Sequence, residues 1–213
     1  MIRLRIALAK GRLYQPSVER FTRAGAAPAG DAGRRLLIPS SDPAIEFLVV
    51  KPGDVPVYVE SGAADLGVTG TDVLRESGAD VLEPLELGFG ACRLVVASPA
   101  AAPYPELPGG ITARVATKYP RLAQSHFAIA GRPVDIIQVN GSVEVAPLLN
   151  LSHWIVDLVD TGNTLRANGL VERETILCCG AVLVANRASQ KLKLDAYLGL
   201  MARLALGEPW SRA

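Results

Sequence analysis

The stretch DLVDTGNTL, residues 157–165, carries side chains that suit a phosphorylated sugar. Its polar residues are Asp157, Asp160, Thr161, Gly162, Asn163 and Thr164. Free backbone N–H groups at the start of a helix bind phosphate well. Carboxylates beside a phosphate are unfavourable unless they face sugar hydroxyls, a Mg2+ ion or a developing positive charge. The combination therefore favours a phosphorylated sugar over a bare phosphate.

The same residues also fit an ordinary turn from a strand into a helix. Thr161 or Asp160 could cap the helix with its side chain, and Gly162 suits the turn itself. The motif TGNT alone favours this structural interpretation, whereas the apolar strand before it and the paired acids favour binding. The two interpretations are compatible, because capping and phosphate binding use the same N–H groups.

Other passages from a strand into a helix carry polar or glycine-rich sequences that could belong to the same site. The residues with suitable chemistry in these passages are Lys10, Gly11, Arg12, Lys51, Asp72, Lys118 and Glu144. Cations such as Lys10 and Arg12 suit a polyphosphate or the face of a nucleobase. In α/β proteins, ligands bind where strands end, so these loops are expected to form one ligand site.

Short apolar runs alternate with amphipathic stretches along the chain, which predicts an α/β fold. We expect strands at Ile2–Ala9 and Trp154–Val159 and helices at Val143–Leu149 and Gly162–Asn168. Further expected elements are a helix at Gln15–Ala24, a long strand or hairpin at Glu172–Ala185, and a final amphipathic helix at Leu192–Leu206.

The proline-rich segment SPAAAPYPELPGG follows one apolar run and cannot be regular structure. We place the crossing into a second lobe in the neighbourhood of residues 88–98, just before this segment. The predicted lobes are residues 1–91 with 179–213, and residues 92–178. A ligand cleft is expected where the two lobes meet.

Composition excludes several classes of protein. Of the 213 residues, 49% are hydrophobic and 20% charged, which allows a sizeable core. A net charge of +1 argues against nucleic-acid binding. The three cysteines match neither a disulfide framework nor a zinc site, and adjacent Cys178 and Cys179 are expected on opposite faces of a strand. With neither a signal peptide nor a membrane-spanning run, we expect a cytoplasmic protein.

Five segments, in this order, resemble the ATP phosphoribosyltransferase family. They are ALAKGRL, DVPVYVESGAADLGVTGTDVL, LGFGACRLVVA, NGSVEVAPLL and DLVDTGNTLRANGL. The resemblance runs from Leu4 to about Arg187, and the last two segments together are highly specific. The length resembles the short form of the family.

The resemblance implies a fold and a reaction. The fold is two lobes like a type II periplasmic binding protein, with mixed, mostly parallel sheets and ATP and 5-phosphoribosyl 1-diphosphate (PRPP) in the cleft. The reaction joins N1 of ATP to C1 of the ribose and releases pyrophosphate, in the first step of histidine biosynthesis. It requires Mg2+, which we expect the substrate phosphates to hold for the most part.

The resemblance also assigns roles to residues. Asp157, Asp160 and the segment Thr161–Thr164 would hold the ribose hydroxyls and the 5-phosphate of PRPP. Lys10 and Arg12 would contact ATP or pyrophosphate, and Glu144 would lie near the reacting sugar. The expected catalytic set is Lys10, Arg12, Glu144, Asp157 and Asp160. The expected ATP contacts are Lys10, Gly11, Arg12 and Lys118, with Lys51 and Asp72 as weaker candidates.

In the short form of the family, the catalytic chain works with a histidyl-tRNA-synthetase-like regulatory subunit. We therefore expect a homodimer of this chain within a hetero-oligomer, with a hetero-octamer among the assemblies allowed. Two positions depart from the family pattern, which often has a basic residue at Thr71 and arginine near Lys51. Thr71 loses a possible phosphate contact, and Lys51 keeps its charge without the planar fork of arginine.

Two other functions compete with this one. A ligand-binding or sensing protein of the same two-lobed architecture needs no paired acids in a phosphate loop. A different PRPP-dependent transferase shares the DxxDTGxT run but is not expected to carry the KGRL and NGSVE segments in this order. Fold alone does not decide between these functions.

Overall fold

A computed structural model describes residues 3–30 and 36–205, which form two compact units. Unit 1 contains the described residues up to Gly90 and from Gly180 onward, and unit 2 spans Ala91–Cys179. None of the helices in the described ranges is long and apolar enough to cross a membrane.

The elements follow one another along the chain in an alternating α/β pattern. The strands are β1 (Leu4–Ala9), β2 (Leu37–Pro39), β3 (Ile45–Val50), β4 (Leu66–Gly70), β5 (Leu82–Glu86), β6 (Cys92–Pro99), β7 (Ala113–Thr117), β8 (Val134–Gln138), β9 (Trp154–Val159), β10 (Leu170–Cys179) and β11 (Ala181–Ala185). The helices are α1 (Tyr14–Arg23), α2 (Val55–Glu60), α3 (Thr71–Ser77), α4 (Pro120–Ile129), α5 (Asn163–Ala167), α6 (Arg187–Leu192) and α7 (Leu194–Ala205). Short 3-10 turns span Pro52–Asp54, Pro108–Gly110 and Val143–Val145.

The sheet of unit 1 has the strand order β2-β3-β1-β4-β11-β5. Strand β1 runs parallel to β3 and β4, while β11 is antiparallel to β4 and β5. Side chains of β1 enter one core with Phe21 and Leu200 and another with Val55 and Val59. A strand that is buried on both faces has an almost continuous apolar sequence, and LRIALA fits this rule.

Helix α2 packs very closely on β4 because Gly67 has no side chain. A Cβ atom added at Gly67 would lie 2.7 Å from Val55 Cγ1 and 2.8 Å from Val59 Cγ2. Such distances are shorter than normal van der Waals contact, so a larger residue would push the helix away. The loop that follows β4 is therefore placed by tight packing at this glycine.

The sheet of unit 2 has the strand order β10-β6-β9-β7-β8, so β9 lies at its centre. Strand β9 is antiparallel to β6 and parallel to β7. Its residues alternate between two cores: Trp154 and Val156 pack on one side, and Ile155 and Val159 on the other. Burial on both faces fixes the register of β9 and hence the position of the loop after it.

The structure corrects several predicted boundaries. The predicted strand at Glu172–Ala185 is two strands, β10 and β11, which lie in different units and are separated by Gly180. The predicted helix at Leu192–Leu206 is divided at Lys193, whose Nζ donates to the Asp65 carboxylate at 2.8 Å. Strand β5 has no predicted counterpart. The sheets are mixed, as predicted, but they are not mostly parallel, because five of the nine strand pairings in the described residues are antiparallel.

Other predictions agree with the structure or lie outside it. Helix α1 begins and ends one residue before the predicted bounds. Cys178 is exposed and Cys179 is buried, which confirms their expected placement on opposite faces. Ile2 and Leu206, the outer ends of two predicted elements, lie outside the described residues.

A charged network attaches β10 to the end of α4 in unit 2. The Glu174 carboxylate accepts two hydrogen bonds from Arg132, at 2.8 and 2.7 Å, and lies 2.7 Å from His126 Nε2. Arg132 also donates to the Tyr104 hydroxyl at 2.9 Å. The bonds from Arg132 are the main cause that lowers the pKa of Glu174 to about 2, while burial raises the pKa of Tyr104 to about 12.

We expect Glu174→Gln to lower the free energy of unfolding by about 1.5–3 kcal/mol at about pH 7, because charged hydrogen bonds are lost. Since the folded pKa of Glu174 is below its ordinary value of 4.5, this stabilisation is present above that value. It is lost as the pH falls towards 2. Denaturant unfolding at about pH 7 and about pH 3 checks this, with a smaller difference from wild type at the lower pH.

The matched control is Glu83→Gln, which removes a similarly exposed carboxylate from its pair with Arg75, whose side chain is 47% exposed against 19% for Arg132. It should cost less than about 1 kcal/mol, as exposed ion pairs do. Equal costs for the two variants, or a Glu174→Gln cost that does not change with pH, would contradict the assigned role of the network.

Candidate active site

The loop after β9 carries the polar residues of the DLVDTGNTL motif. Asp157 lies within the strand and is half-buried, whereas Asp160 is exposed directly after the strand ends. The loop then passes through Gly162, whose φ of +76° lies in the left-handed region that glycine adopts easily. The strand thus ends in a sharp turn that exposes the polar side chains.

Helix α5 is shorter than predicted and begins without a side-chain cap. It spans Asn163–Ala167 instead of Gly162–Asn168, and Gly162 is its N-cap residue. Capping by Thr161 or Asp160 is therefore wrong for this structure. A helix of one turn contributes little dipole, so an anion here would depend on the unpaired N–H groups and on the hydroxyls of the loop.

The loop forms most of the wall of a pocket of about 200 Å3. The lining residues are Glu144, Asp157, Leu158, Val159, Asp160, Thr161, Gly162, Asn163, Thr164 and Leu165. The structure thus brings together all the residues that the sequence assigns to PRPP, together with Glu144, which the sequence predicts near the reacting sugar. Carboxylate side chains and the hydroxyl and amide groups of the loop share one small pocket.

Glu144 reaches this pocket from a 3-10 turn and not from the predicted helix at Val143–Leu149. The turn spans Val143–Val145 and follows Ser142, which has a φ of +49°. Val143 is buried in the core with Leu165, so it fixes the turn beside α5. A left-handed conformation at a residue other than glycine is strained, and such strain is typical of functional sites.

Burial is the main cause that raises the pKa of Asp157 above its ordinary value. The charge of Glu144 raises it further, while the backbone N–H of Leu158 and the charge of Lys118 lower it. The Leu158 N–H donates to Asp157 Oδ1 at 2.8 Å. Asp157 and Glu144 are thus close enough for their charges to interact. Two like charges at this distance raise the free energy of the protein unless a ligand supplies partners for them.

Lys118 belongs to the same unit as the loop. It follows β7, where the Thr117 hydroxyl donates to the Val156 carbonyl at 2.7 Å and accepts from the Tyr119 N–H at 2.9 Å. These bonds attach the end of β7 to β9 and place Lys118 close enough to affect Asp157. The sequence groups Lys118 with the ATP contacts, and the structure places it in unit 2 with the PRPP set.

The candidate ATP residues of unit 1 follow neighbouring parallel strands. In the register of β1 and β3, Ala9 is opposite Val50, so Lys10 and Lys51 leave the sheet at the same edge. The Lys10 N–H donates to the Val50 carbonyl at 2.8 Å. Gly11 has a φ of +88° and opens a turn that exposes Lys10 and Arg12. Three cationic side chains therefore lie at one edge of the sheet.

Asp72 also follows this edge but is buried. Only 4% of its surface is exposed, and its carboxylate is folded back against Gly70 at the start of α3. Thr71 is held by Gly180, directly before β11, since its N–H donates to the Gly180 carbonyl at 3.0 Å and its hydroxyl accepts from the Gly180 N–H at 3.1 Å. These two residues are more enclosed than Lys10, Arg12 and Lys51.

The residues fit a magnesium ion that arrives with a substrate better than a resident metal. In the part of the chain that the structure describes, no three His, Cys, Asp or Glu side chains form a metal site. Mg2+ commonly binds one or two carboxylates together with substrate phosphates. Asp157 and Asp160 offer such carboxylates at the edge of the pocket.

Sequence reasoning missed Arg166, which contacts the loop from α5. Its Nη2 donates to the Thr161 carbonyl at 3.0 Å and to Asn163 Oδ1 at 2.6 Å. The spacing of Asn163 and Arg166 could have predicted this contact, because residues three apart are neighbours on a helix. The left-handed Ser142 had no comparable signal, since serine seldom adopts this conformation.

Comparisons with known proteins identify the family of the chain. The family model HisG, described as ATP phosphoribosyltransferase, matches residues 51–205. The ATP phosphoribosyltransferase of Sorangium cellulosum is 50% identical over 203 residues, which cover 94% of each chain. The solved ATP phosphoribosyl transferase (HisG:HisZ) complex from Thermotoga maritima is 32% identical, with a TM-score of 0.84, and the match covers 95% of this chain and 96% of that one.

A more distant likeness concerns the fold alone. The periplasmic aliphatic sulphonate binding protein SsuA from Escherichia coli has a TM-score of 0.61 at 15% identity, over 96% of this chain and 72% of that one. This likeness confirms the predicted periplasmic-binding-protein-like α/β fold. The family-model match and the relative at 50% identity show that the chain belongs to the ATP phosphoribosyltransferase family.

Proposed function

We propose that unit 2 binds PRPP and that unit 1 binds ATP in the reaction of this family. N1 of ATP would attack C1 of the ribose to give N1-(5-phosphoribosyl)-ATP and pyrophosphate, the first step of histidine biosynthesis. The observation that carries the proposal is the pocket of unit 2. It combines an uncapped loop, Asp160–Thr164, with the acidic side chains of Glu144 and Asp157.

The 5-phosphate of PRPP is bound by the loop. Because no side chain caps α5, the hydroxyls of Thr161 and Thr164 and the first N–H groups of the helix can all donate to phosphate oxygens. Gly162 lets the backbone turn sharply between these donors. The loop therefore supplies the neutral donors that a phosphate dianion needs.

The ribose lies against the acidic side of the pocket. Asp157 and Asp160 accept hydrogen bonds from the ribose hydroxyls, and Glu144 lies beside the reacting carbon. As the bond from C1 to the diphosphate breaks, the leaving group takes the electron pair and positive charge develops on the ribose. Carboxylates that are already held nearby stabilise this charge without reorganising. This stabilisation explains why acidic side chains are closely spaced in the pocket.

The nucleophile is a ring nitrogen of ATP, so no activated serine or cysteine is required. The lone pair of N1 forms the new bond to C1 as the bond to the diphosphate breaks. Bringing the two substrates into reacting distance supplies much of the rate. Bound Mg2+ would supply positive charge to the phosphates of the leaving group. Lys10 and Arg12, and the weaker candidate Lys51, provide cationic contacts for ATP or pyrophosphate at the sheet edge of unit 1.

We further propose that the chain works in the cytoplasm with a histidyl-tRNA-synthetase-like regulatory subunit. The support is the 32% identity to the chain solved in the complex named HisG:HisZ. A homodimer of the catalytic chain within that assembly belongs to the same proposal. A protein that only binds a ligand shares the fold and is distinguished by the absence of product.

We expect Thr164→Val and Asp160→Ala to reduce PRPP-dependent turnover by roughly 10–1,000-fold, the range for losing positioned polar contacts. The assay combines the chain with its regulatory subunit, ATP, PRPP and Mg2+, and follows N1-(5-phosphoribosyl)-ATP by ultraviolet absorbance. Thr112→Val, an exposed threonine outside the pocket, serves as the matched control and should keep wild-type turnover.

Two outcomes would contradict the proposal. Absence of product from the intact wild-type complex would exclude the enzyme function. Wild-type kinetics in both loop variants would show that the loop has only a structural role.

We expect Asp157→Asn to stabilise the unliganded protein at about pH 7 while reducing turnover at least about 10-fold. The folded pKa of Asp157 is raised, so the stability of the wild type decreases as the pH rises above the ordinary value of 3.8. Asparagine removes this penalty. The gain in Tm should be roughly 2–4 °C for each kcal/mol, and should disappear as the pH approaches 3.8.

Thermal unfolding at about pH 7 and about pH 4 measures this effect. Asp160→Asn is the control, because Asp160 is exposed and its neutralisation should leave Tm unchanged. An Asp157→Asn variant that is no more stable than wild type at neutral pH would show that burial of this carboxylate carries no penalty.

A further inference from the structure

We propose that Arg166 is a positioning residue of the PRPP-binding loop. It holds Thr161 and Asn163 in the conformation that binds the 5-phosphate, without contacting the phosphate itself. This inference rests on the proposed function. The observations that carry it are the contacts of Arg166 with the loop and its absence from the wall of the pocket.

The guanidinium of Arg166 connects two residues on opposite sides of Gly162. One nitrogen, Nη2, donates to the Thr161 carbonyl at 3.0 Å and to Asn163 Oδ1 at 2.6 Å. The backbone N–H of Arg166 donates to the Gly162 carbonyl at 3.1 Å. Arg166 therefore contacts three consecutive residues of the loop and closes the turn between β9 and α5.

Gly162 makes room for this arrangement. A Cβ atom at position 162 would lie 3.0 Å from Arg166 Nη1 and 3.3 Å from Glu172 Oε1. The Glu172 carboxylate is itself held by Arg93, whose Nη2 lies 2.9 and 3.1 Å from its two oxygens. The side chain of Arg166 thus lies against the backbone of Gly162, with a fixed acidic group on the same side of the loop.

The contact of Arg166 with Asn163 sets the orientation of the Asn163 amide. A guanidinium only donates hydrogen bonds, so the oxygen of the amide faces Arg166 and its NH2 group faces elsewhere. Asn163 lines the pocket, and Arg166 is not among the residues that line it. Arg166 therefore acts from behind the loop and leaves the NH2 group of Asn163 as a donor for an anionic ligand.

Isothermal titration calorimetry of PRPP with Mg2+ against the full chain tests the proposal. We expect Arg166→Ala to weaken PRPP binding by about 10–100-fold, the effect of losing a charged hydrogen bond, and to leave the Kd for ATP and the Tm unchanged. Arg187→Ala is the control, because it removes another exposed arginine, which pairs with Asp80 outside the loop, and should bind PRPP as the wild type does.

Two further variants separate positioning from direct charge attraction. Arg166→Lys keeps the charge but loses the planar fork, so it should bind PRPP as weakly as Arg166→Ala does. In an Asn163→Ala background, Arg166→Ala should cost less than it does alone, because the two side chains act as one unit. In steady-state assays of the complex, Arg166→Ala should raise the KM for PRPP and not the KM for ATP.

The outcomes distinguish failure of the inference from failure of the proposed function. Wild-type protein that does not bind PRPP would overturn both. Wild-type binding with an unaffected Arg166→Ala variant would overturn the positioning role alone. Near-normal affinity in Arg166→Lys, a defect that disappears at high salt, or fully additive effects with Asn163→Ala would each overturn it as well.

Discussion

The site in unit 2 depends on the burial of β9 on both faces. Trp154 and Val156 pack into one core while Ile155 and Val159 pack into the other, so the strand cannot shift its register without exposing apolar side chains. The polar residues of the loop after β9 therefore have a fixed position at the end of the strand. The bond from Thr117 to the Val156 carbonyl fixes the end of the neighbouring strand at the same place.

Because β9 holds the loop in place, the loop can keep features that lower the stability of the unliganded chain. Asp157 is half-buried near a second acid, and Ser142 adopts a left-handed conformation beside Glu144. Helix α5 begins without a side-chain cap, although Thr161 and Asp160 are adjacent to its start. Each of these features is unfavourable in the unliganded chain, and under the proposed function a bound phosphorylated sugar supplies the partners that they lack.

Much of the site could be predicted from the sequence, because its residues follow strands and parallel strands end at a common edge. The grouping of Glu144 with Asp157 and the segment Asp160–Thr164 is an example. The family, the fold class and the prediction of a phosphoribosyl-transferring enzyme of histidine biosynthesis are confirmed by the comparisons. The roles of the individual residues stay proposals.

Other features were beyond local sequence reasoning because they depend on contacts between distant segments. The separation of β10 from β11 at Gly180 reflects their membership of different sheets. The placement of Lys118 with the loop depends on the pairing of β7 with β9. The length of α5 and the bonds from Arg166 depend on how the loop turns at Gly162, and hydrophobic periodicity does not report this.

In the proposed function, PRPP occupies the loop after β9. Amide hydrogen exchange of the full chain, with saturating PRPP and Mg2+, tests it most directly, since N–H groups without partners exchange readily until a ligand covers them. We predict that PRPP slows exchange at residues 160–165 and that ATP alone does not. If calorimetry verifies that PRPP is bound but exchange in this loop is unchanged, PRPP does not occupy the loop.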